Sequence, residues 1–184
     1  MADIKDFTER TVDSTMVFDG EILHVQKDNI LLPNGKPATR EKIHHIGAVC
    51  IVPVTDDGKI VMEEQFRYPI SRMLYEIPAG KLDSSDEDRL LAAKRELREE
   101  TGYEASEWID LGIYLPAPAY TDEKITMYLA RGLKKGSQDL DDDEFLKLSE
   151  APIEEVVSKI FAGEIQDGKT QIAVLKAAKY LNKI

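Results

Sequence analysis

Cysteine occurs once in the 184 residues, as Cys50, so no intrachain disulfide can staple the fold and a hydrophobic core must hold it. Cys50 sits inside the apolar run 48–54, a setting that suits a buried small hydrophobe better than a nucleophile. Long hydrophobic runs are absent. Nothing approaches the roughly 20 apolar residues that span a bilayer, and the N-terminus lacks a signal-peptide hydrophobic region. The expectation is a soluble, cytoplasmic protein with no membrane partner. Histidine is scarce, and His24, His44 and His45 show no spacing with cysteine of the kind a zinc site needs; they read as ordinary strand or surface residues. Positive charge is in deficit, with 24 Lys and Arg against 35 Asp and Glu and a formal net charge of −11. That balance argues against a nucleic-acid partner. It also opposes any phosphate-bearing ligand unless bound metal inverts the local field.

A chain of this length buries one good core, so one catalytic domain with a modest extension is expected. The polar residues 1–10 predict a short helix or a frayed end. From 16 to 46 the pattern is β-like: residues 22–26 alternate, 29–32 run into the turn signal Pro33-Asn34-Gly35-Lys36, and 39–46 returns as a strand. Further strands are expected at 47–54, 59–66, 73–77, 108–115 and 124–130, with Asp56-Asp57-Gly58 turning between the first two. Residues 87–101 read as a helix, with Ser85 and Asp88 resembling a variant capping box and Leu90, Ala93 and Leu97 on its inner face. A polar loop, 136–144, precedes two amphipathic helices at 152–161 and 169–181. No internal repeat or long linker interrupts this order. Strands mixed with one helix, then two closing helices, predict an α/β or α+β sandwich with a mixed sheet.

The helix at 87–101 ends in Arg95-Glu96-Leu97-Arg98-Glu99-Glu100-Thr101-Gly102, and Gly102 is the residue type that commonly follows a helix C-terminus. That end carries partial negative charge and favours cations, yet Glu96, Glu99 and Glu100 gather there at i, i+3, i+4 spacing, where like charges repel. Splayed into water beside Arg95 and Arg98, they form an ordinary acidic face. Turned toward one another, they need a cation, and hard divalent ions take oxygen ligands.

Reading outward, Gly80 is followed by six residues, then Glu87, seven more, and Arg95-Glu96-Leu97-x-Glu99-Glu100-x-Gly102-Tyr103. This segment resembles the Nudix box, the strand–loop–helix–loop signature of pyrophosphate hydrolases. It departs at one point: the family places five residues between the first Gly and the first Glu, which leaves the role of Glu87 open. Around the box, Glu64-Gln65-Phe66-Arg67-Tyr68-Pro69 and Tyr75-Glu76-Ile77-Pro78-Ala79-Gly80 resemble the ADP-ribose pyrophosphatase branch. So does the segment 116–123 through Pro118 and Glu123, although Ala119 replaces that branch's usual Gly. The late segments Leu140-Asp141-Asp142-Asp143-Glu144-Phe145 and Asp167-Gly168-Lys169-Thr170 also fit.

The resemblance implies an α/β/α sandwich over 47–184 and an N-terminal antiparallel β extension over 1–46 that exchanges between the subunits of a homodimer. It implies Mg²⁺, with Mn²⁺ as a substitute, held by Glu96, Glu100 and the carbonyl of Ala79, with Glu99 as a third ligand or an organiser. Arg95 would orient those carboxylates. Arg67 would grip the substrate phosphates, its bland alternative being an ion pair with Glu63 or Glu64. Glu76 would approach a ribose or support the metal site, Arg40 and Glu41 would meet the adenosine end, and Pro118 and Glu123 would complete the substrate site. Glu144, or else Asp142, would orient the attacking water. The implied reaction is hydrolysis of ADP-ribose to AMP and ribose 5-phosphate. Another nucleoside diphosphate sugar, such as GDP-mannose or ADP-glucose, is the nearest alternative, and a non-catalytic nucleotide-sugar sensor the more distant one.

Overall fold

A computed structural model describes residues 6–140 and 144–184; Asp141, Asp142 and Asp143 lie outside the described residues. Two compact units are present, one ending at His45 and taking in Ala117–Glu123, the other formed by Ile46–Pro116 with Lys124–Ile184.

In the larger unit, β4 (Ala48–Pro53) explains the layering. Its neighbours are β7 (Ala79–Lys81), antiparallel, and β9 (Ile125–Lys135), parallel; β9 in turn pairs antiparallel with β8 (Tyr103–Tyr114). A central strand covered on both faces reads as an unbroken apolar run because alternate residues serve opposite sides. Val49 and Ile51 face one core with Ala93 and Leu97 of helix α1 (Arg89–Thr101), while Cys50 and Val52 face another with Val156 of α2 (Ile153–Phe161) and Val174 of α3 (Gly168–Tyr180). The result is an α/β/α sandwich. A second, antiparallel sheet places β5 (Lys59–Arg67) between β6 (Arg72–Glu76) and β10 (Leu146–Pro152).

Cys50 is fully buried, and burial pushes its thiol up to about 12, as befits an inert core residue. Among the described residues no helix is long and apolar enough to cross a membrane.

Several boundaries differ from those expected. Helix α1 begins at Arg89 and not at residue 87, because the Asp88 carboxylate accepts the Leu90 and Leu91 amides at 2.9 Å each and so takes the N-cap position. Strand β10 has no clear alternation of its own, with Lys147 and Glu150 in a short run. It is set by pairing along β5 from Leu146↔Gln65 to Pro152↔Lys59. Strands β8 and β9 are longer than their hydrophobic stretches, since they support each other out to Tyr103↔Lys135.

In the smaller unit, β1 (Arg10–Asp19), β2 (His24–Leu31) and β3 (Pro37–His44) form an antiparallel sheet. The Pro33-Asn34-Gly35-Lys36 turn joins the last two, with Gly35 at φ 79° and the Leu32 amide donating to the Lys36 carbonyl. Strand β1 begins at Arg10, where a short helix or frayed end was expected. Its partner is β2, through Arg10↔Leu31 to Asp19↔His24, and every one of its residues is exposed.

Candidate active site

Helix α1 stops at Gly102, whose φ of 72° lets its amide turn back to the Arg98 carbonyl at 2.8 Å. With Leu97 fixed in the core, the last turn brings Glu96 and Glu100 against β7, and both are nearly buried, at 8% and 3% exposure. The Glu100 carboxylate accepts the Ala79 amide at 2.9 Å. Glu96 covers Gly80 so closely that a β-carbon there would stand 1.9 Å from the carboxylate carbon. Position 80 is therefore glycine for want of space, and its backbone dihedrals are not the reason.

Arg95 sits at the hub of this cluster. It contacts Glu96 at 2.8 Å, Glu99 at 3.2 Å, and Asp83 and Glu87 at 3.5 Å each. Glu99 is held from both sides, since its other oxygen meets Arg98 at 3.1 Å. Glu87 precedes the helix. Its carboxylate accepts the Asp83 amide at 2.7 Å while also facing Arg95, so Glu87 ties the longer loop at Asp83 to the helix at Arg95.

Even so, the positive charge is insufficient. Burial pushes Glu96 up to about 7 against the pull of Arg95. Glu100 is raised well above the usual carboxylate range, first by burial, then by repulsion from Glu63 and Glu96, which the Ala79 amide only partly offsets. Glu144 adds repulsion to both. With Gly80, Arg95, Glu96, Glu99 and Asp139, it lines a cleft of about 220 Å³.

A second charged group gathers where the ends of β5 and β6 meet the start of α3. Arg67 donates two parallel hydrogen bonds of 2.8 Å to the carboxylate of Glu76, and Lys169 donates to the same carboxylate and to Asp167. Burial alone would raise the Glu76 carboxyl, but these cations outweigh it and hold the group below its ordinary value. The partner of Arg67 is thus Glu76, and neither Glu63 nor Glu64. Glu63, opposite Glu76 in the β5–β6 register, is fully buried with no hydrogen-bond donor on either oxygen among the described residues, and burial pushes it up to about 8.

Two residues of this group received no site role from the sequence. Glu63 entered only as an ion-pair alternative for Arg67, and Lys169 only as part of the segment Asp167-Gly168-Lys169-Thr170.

The remaining candidates belong to the smaller unit. Arg40 bonds Glu9 at 2.9 Å, Glu41 is exposed opposite Lys27, Pro118 lies in the turn closed by the Ala117 carbonyl, and Glu123 faces His45 at 4.0 Å. His44 and the His45 amide both bond Asp122, at 2.7 Å each.

Among the described residues no three acidic, histidine or cysteine side chains are gathered tightly enough to enclose a metal ion. The donors nevertheless fit a hard divalent cation: all are oxygens, the pocket has surplus negative charge, and Glu63 is a buried carboxylate that meets no donor among the described residues.

Comparisons with known proteins agree with this geometry. The family model described as the NUDIX domain matches residues 44–171. The chain is 41% identical over 170 residues to a methanol dehydrogenase activator of Bacillus methanolicus, covering 91% of each. It is 37% identical over 173 residues to an ADP-ribose pyrophosphatase of Bacillus subtilis, covering 93% of each. A crystal structure of an ADP compounds hydrolase shares the fold with a TM-score of 0.83 at 20% identity, covering 95% of each chain. The family match embraces Gly80, the helix that folds over it and the strands beneath, and on that ground the chain belongs to the Nudix family.

Proposed function

We propose that this chain is a divalent-metal-dependent hydrolase of ADP-ribose, cleaving its pyrophosphate bond with water to give AMP and ribose 5-phosphate. The observation that carries the reading is the pair Glu96 and Glu100, nearly buried over Ala79–Gly80 with too little positive charge to satisfy them. The 37% identity to an ADP-ribose pyrophosphatase along almost the whole chain supports the choice of substrate.

Glu96, Glu100 and the Ala79 carbonyl would hold Mg²⁺, or Mn²⁺ in its place. The ion supplies neutralisation of phosphate oxygens and a lowered pKa for water. Arg95 fixes Glu96 and Glu99, which keeps the carboxylates from swinging into solvent. Glu99, taken by Arg95 and Arg98, organises the cluster. Glu144 lines the same cleft and would orient the attacking water; Asp142, the other candidate, lies outside the described residues. Arg67 reaches phosphate with the part of its guanidinium that Glu76 leaves free, so Glu76 acts as a buttress for Arg67. Arg40, Glu41, Pro118 and Glu123 are assigned to the adenosine and ribose ends.

The extension would join two copies into a homodimer, for which β1 offers exposed Val12, Met16, Val17 and Phe18. A cytoplasmic enzyme without nucleic-acid or membrane partners completes the reading.

Incubating the protein with ADP-ribose and Mg²⁺ and separating the nucleotides tests it; absence of AMP would remove it. Parallel turnover of ADP-glucose and GDP-mannose ranks the sugars. The 41% identity to a methanol dehydrogenase activator favours a second reading, action on a dehydrogenase. Stimulation of methanol dehydrogenase without turnover of any free nucleotide sugar would select it.

A further inference from the structure

Strand β5 is buried from Ile60 to Glu63, and Glu63 is the charged residue of that stretch. An ionised carboxylate in such a setting is costly unless donors or a cation meet it. Neither of its oxygens has a hydrogen-bond donor among the described residues. The nearby cations are committed elsewhere: Arg67 and Lys169 both bind Glu76, directly across the strand pair.

Geometry locates the Glu63 side chain. In the β5–β6 register Glu63 stands directly across from Glu76, three residues ahead of Ala79, and the Ala79 amide donates to the Glu100 carboxylate at 2.9 Å. Glu63 from β5 and Glu100 from α1 therefore flank the same short segment 76–79, and the two carboxylates repel one another.

We propose that Glu63 is a further ligand of the divalent-cation centre, reaching it from β5 and sharing an ion with Glu100. The inference rests on the metal-dependent reading above and adds a donor from outside the Nudix helix. An oxygen-only site with surplus negative charge suits Mg²⁺ or Mn²⁺. The ion would give Glu63 the compensation that Arg67 and Lys169 give to Glu76. It would also tie the antiparallel sheet to the helix that covers the mixed sheet, so cation binding would stiffen the domain as well as arm it.

The test is calorimetric titration of Mn²⁺ into chelator-treated full-length protein, for the parent, Glu63→Gln, Glu63→Asp and Glu100→Gln. Glu63→Gln is expected to weaken Mn²⁺ binding at least about tenfold, with Glu63→Asp between it and the parent. Melting temperature gives a readout that separates a ligand from a structural carboxylate. In mildly alkaline metal-free buffer, Glu63→Gln should melt higher than the parent, because an uncompensated buried charge is gone. Its gain in melting temperature on adding Mn²⁺ should shrink. Mn²⁺ affinity of Glu63→Gln within about twofold of the parent, while Glu100→Gln loses it, overturns the inference and leaves the metal-dependent reading standing. Unchanged affinity in both variants sinks the two together.

Discussion

Arg67 and Glu76 are joined by two parallel hydrogen bonds of equal length, 2.8 Å, with the carboxylate wholly buried and the guanidinium partly open to solvent. Such a fork fixes the plane of the arginine as well as its position. Glu76→Ala leaves Arg67 and Lys169 without their common anion, and breaking a buried pair of this kind costs about 3–5 kcal/mol. Urea unfolding should show a loss of that order. Arg67→Lys keeps the charge but cannot make the fork; we expect a rise in KM for ADP-ribose larger than the fall in kcat. An unchanged KM would remove Arg67 from the phosphate site.

Glu100→Gln keeps the shape of the side chain and its acceptor for the Ala79 amide, while removing the negative charge. Turnover should fall by about 100-fold or more, and binding of a non-hydrolysable ADP-ribose analogue should largely survive. Equal activity of variant and parent would contradict the metal role of this helix.

Gly80→Ala forces a methyl group into the Glu96 carboxylate. The variant should lose stability and nearly all turnover. The double variant Gly80→Ala/Glu96→Ala should recover stability relative to Gly80→Ala but not activity, since the clash is relieved while the carboxylate is lost. Strict additivity of the two stability changes would refute the contact, because neighbours in collision must couple.

The buried carboxylates also predict how stability varies with pH. In the metal-free protein Glu96 is raised to about 7 and Glu63 to about 8 from an ordinary value of 4.5. Between 4.5 and those values the folded chain holds protons that the unfolded chain has released, so stability falls as pH rises through that window. Mg²⁺ must displace the same protons, so its affinity should climb over this interval and level off above it. Melting curves with and without Mg²⁺ across the range would show the metal's protective increment growing with pH. An increment independent of pH would contradict the shifts.

Much of this centre could be read from residue order alone because it is local. Glu96, Glu99 and Glu100 share one helical turn, and Gly102 marks where that helix ends. Arg95 is likewise one turn from Glu99. The Arg67–Glu76 pair was harder to read, since several acids near Arg67 compete and only the β5–β6 register selects among them. Glu63 was hard to read for the same reason, because only that register sets it across from Glu76. Strand β10 shows the general case, a weakly patterned segment made into a strand by its neighbour. In the late acidic loop residue order left Glu144 and Asp142 as alternatives, and Glu144 lines the cleft.

Thr170 at the start of α3 accepts the Ile77 amide at 3.0 Å, and Lys169 beside it holds Glu76; each of these partnerships spans 93 positions. During synthesis, then, β6 must wait for nearly the whole polypeptide to emerge before Glu76 gains its second cation and Ile77 its acceptor. A ribosome-bound chain stalled ahead of α3 would already carry every glutamate of the box and still lack the lysine that helps neutralise Glu76.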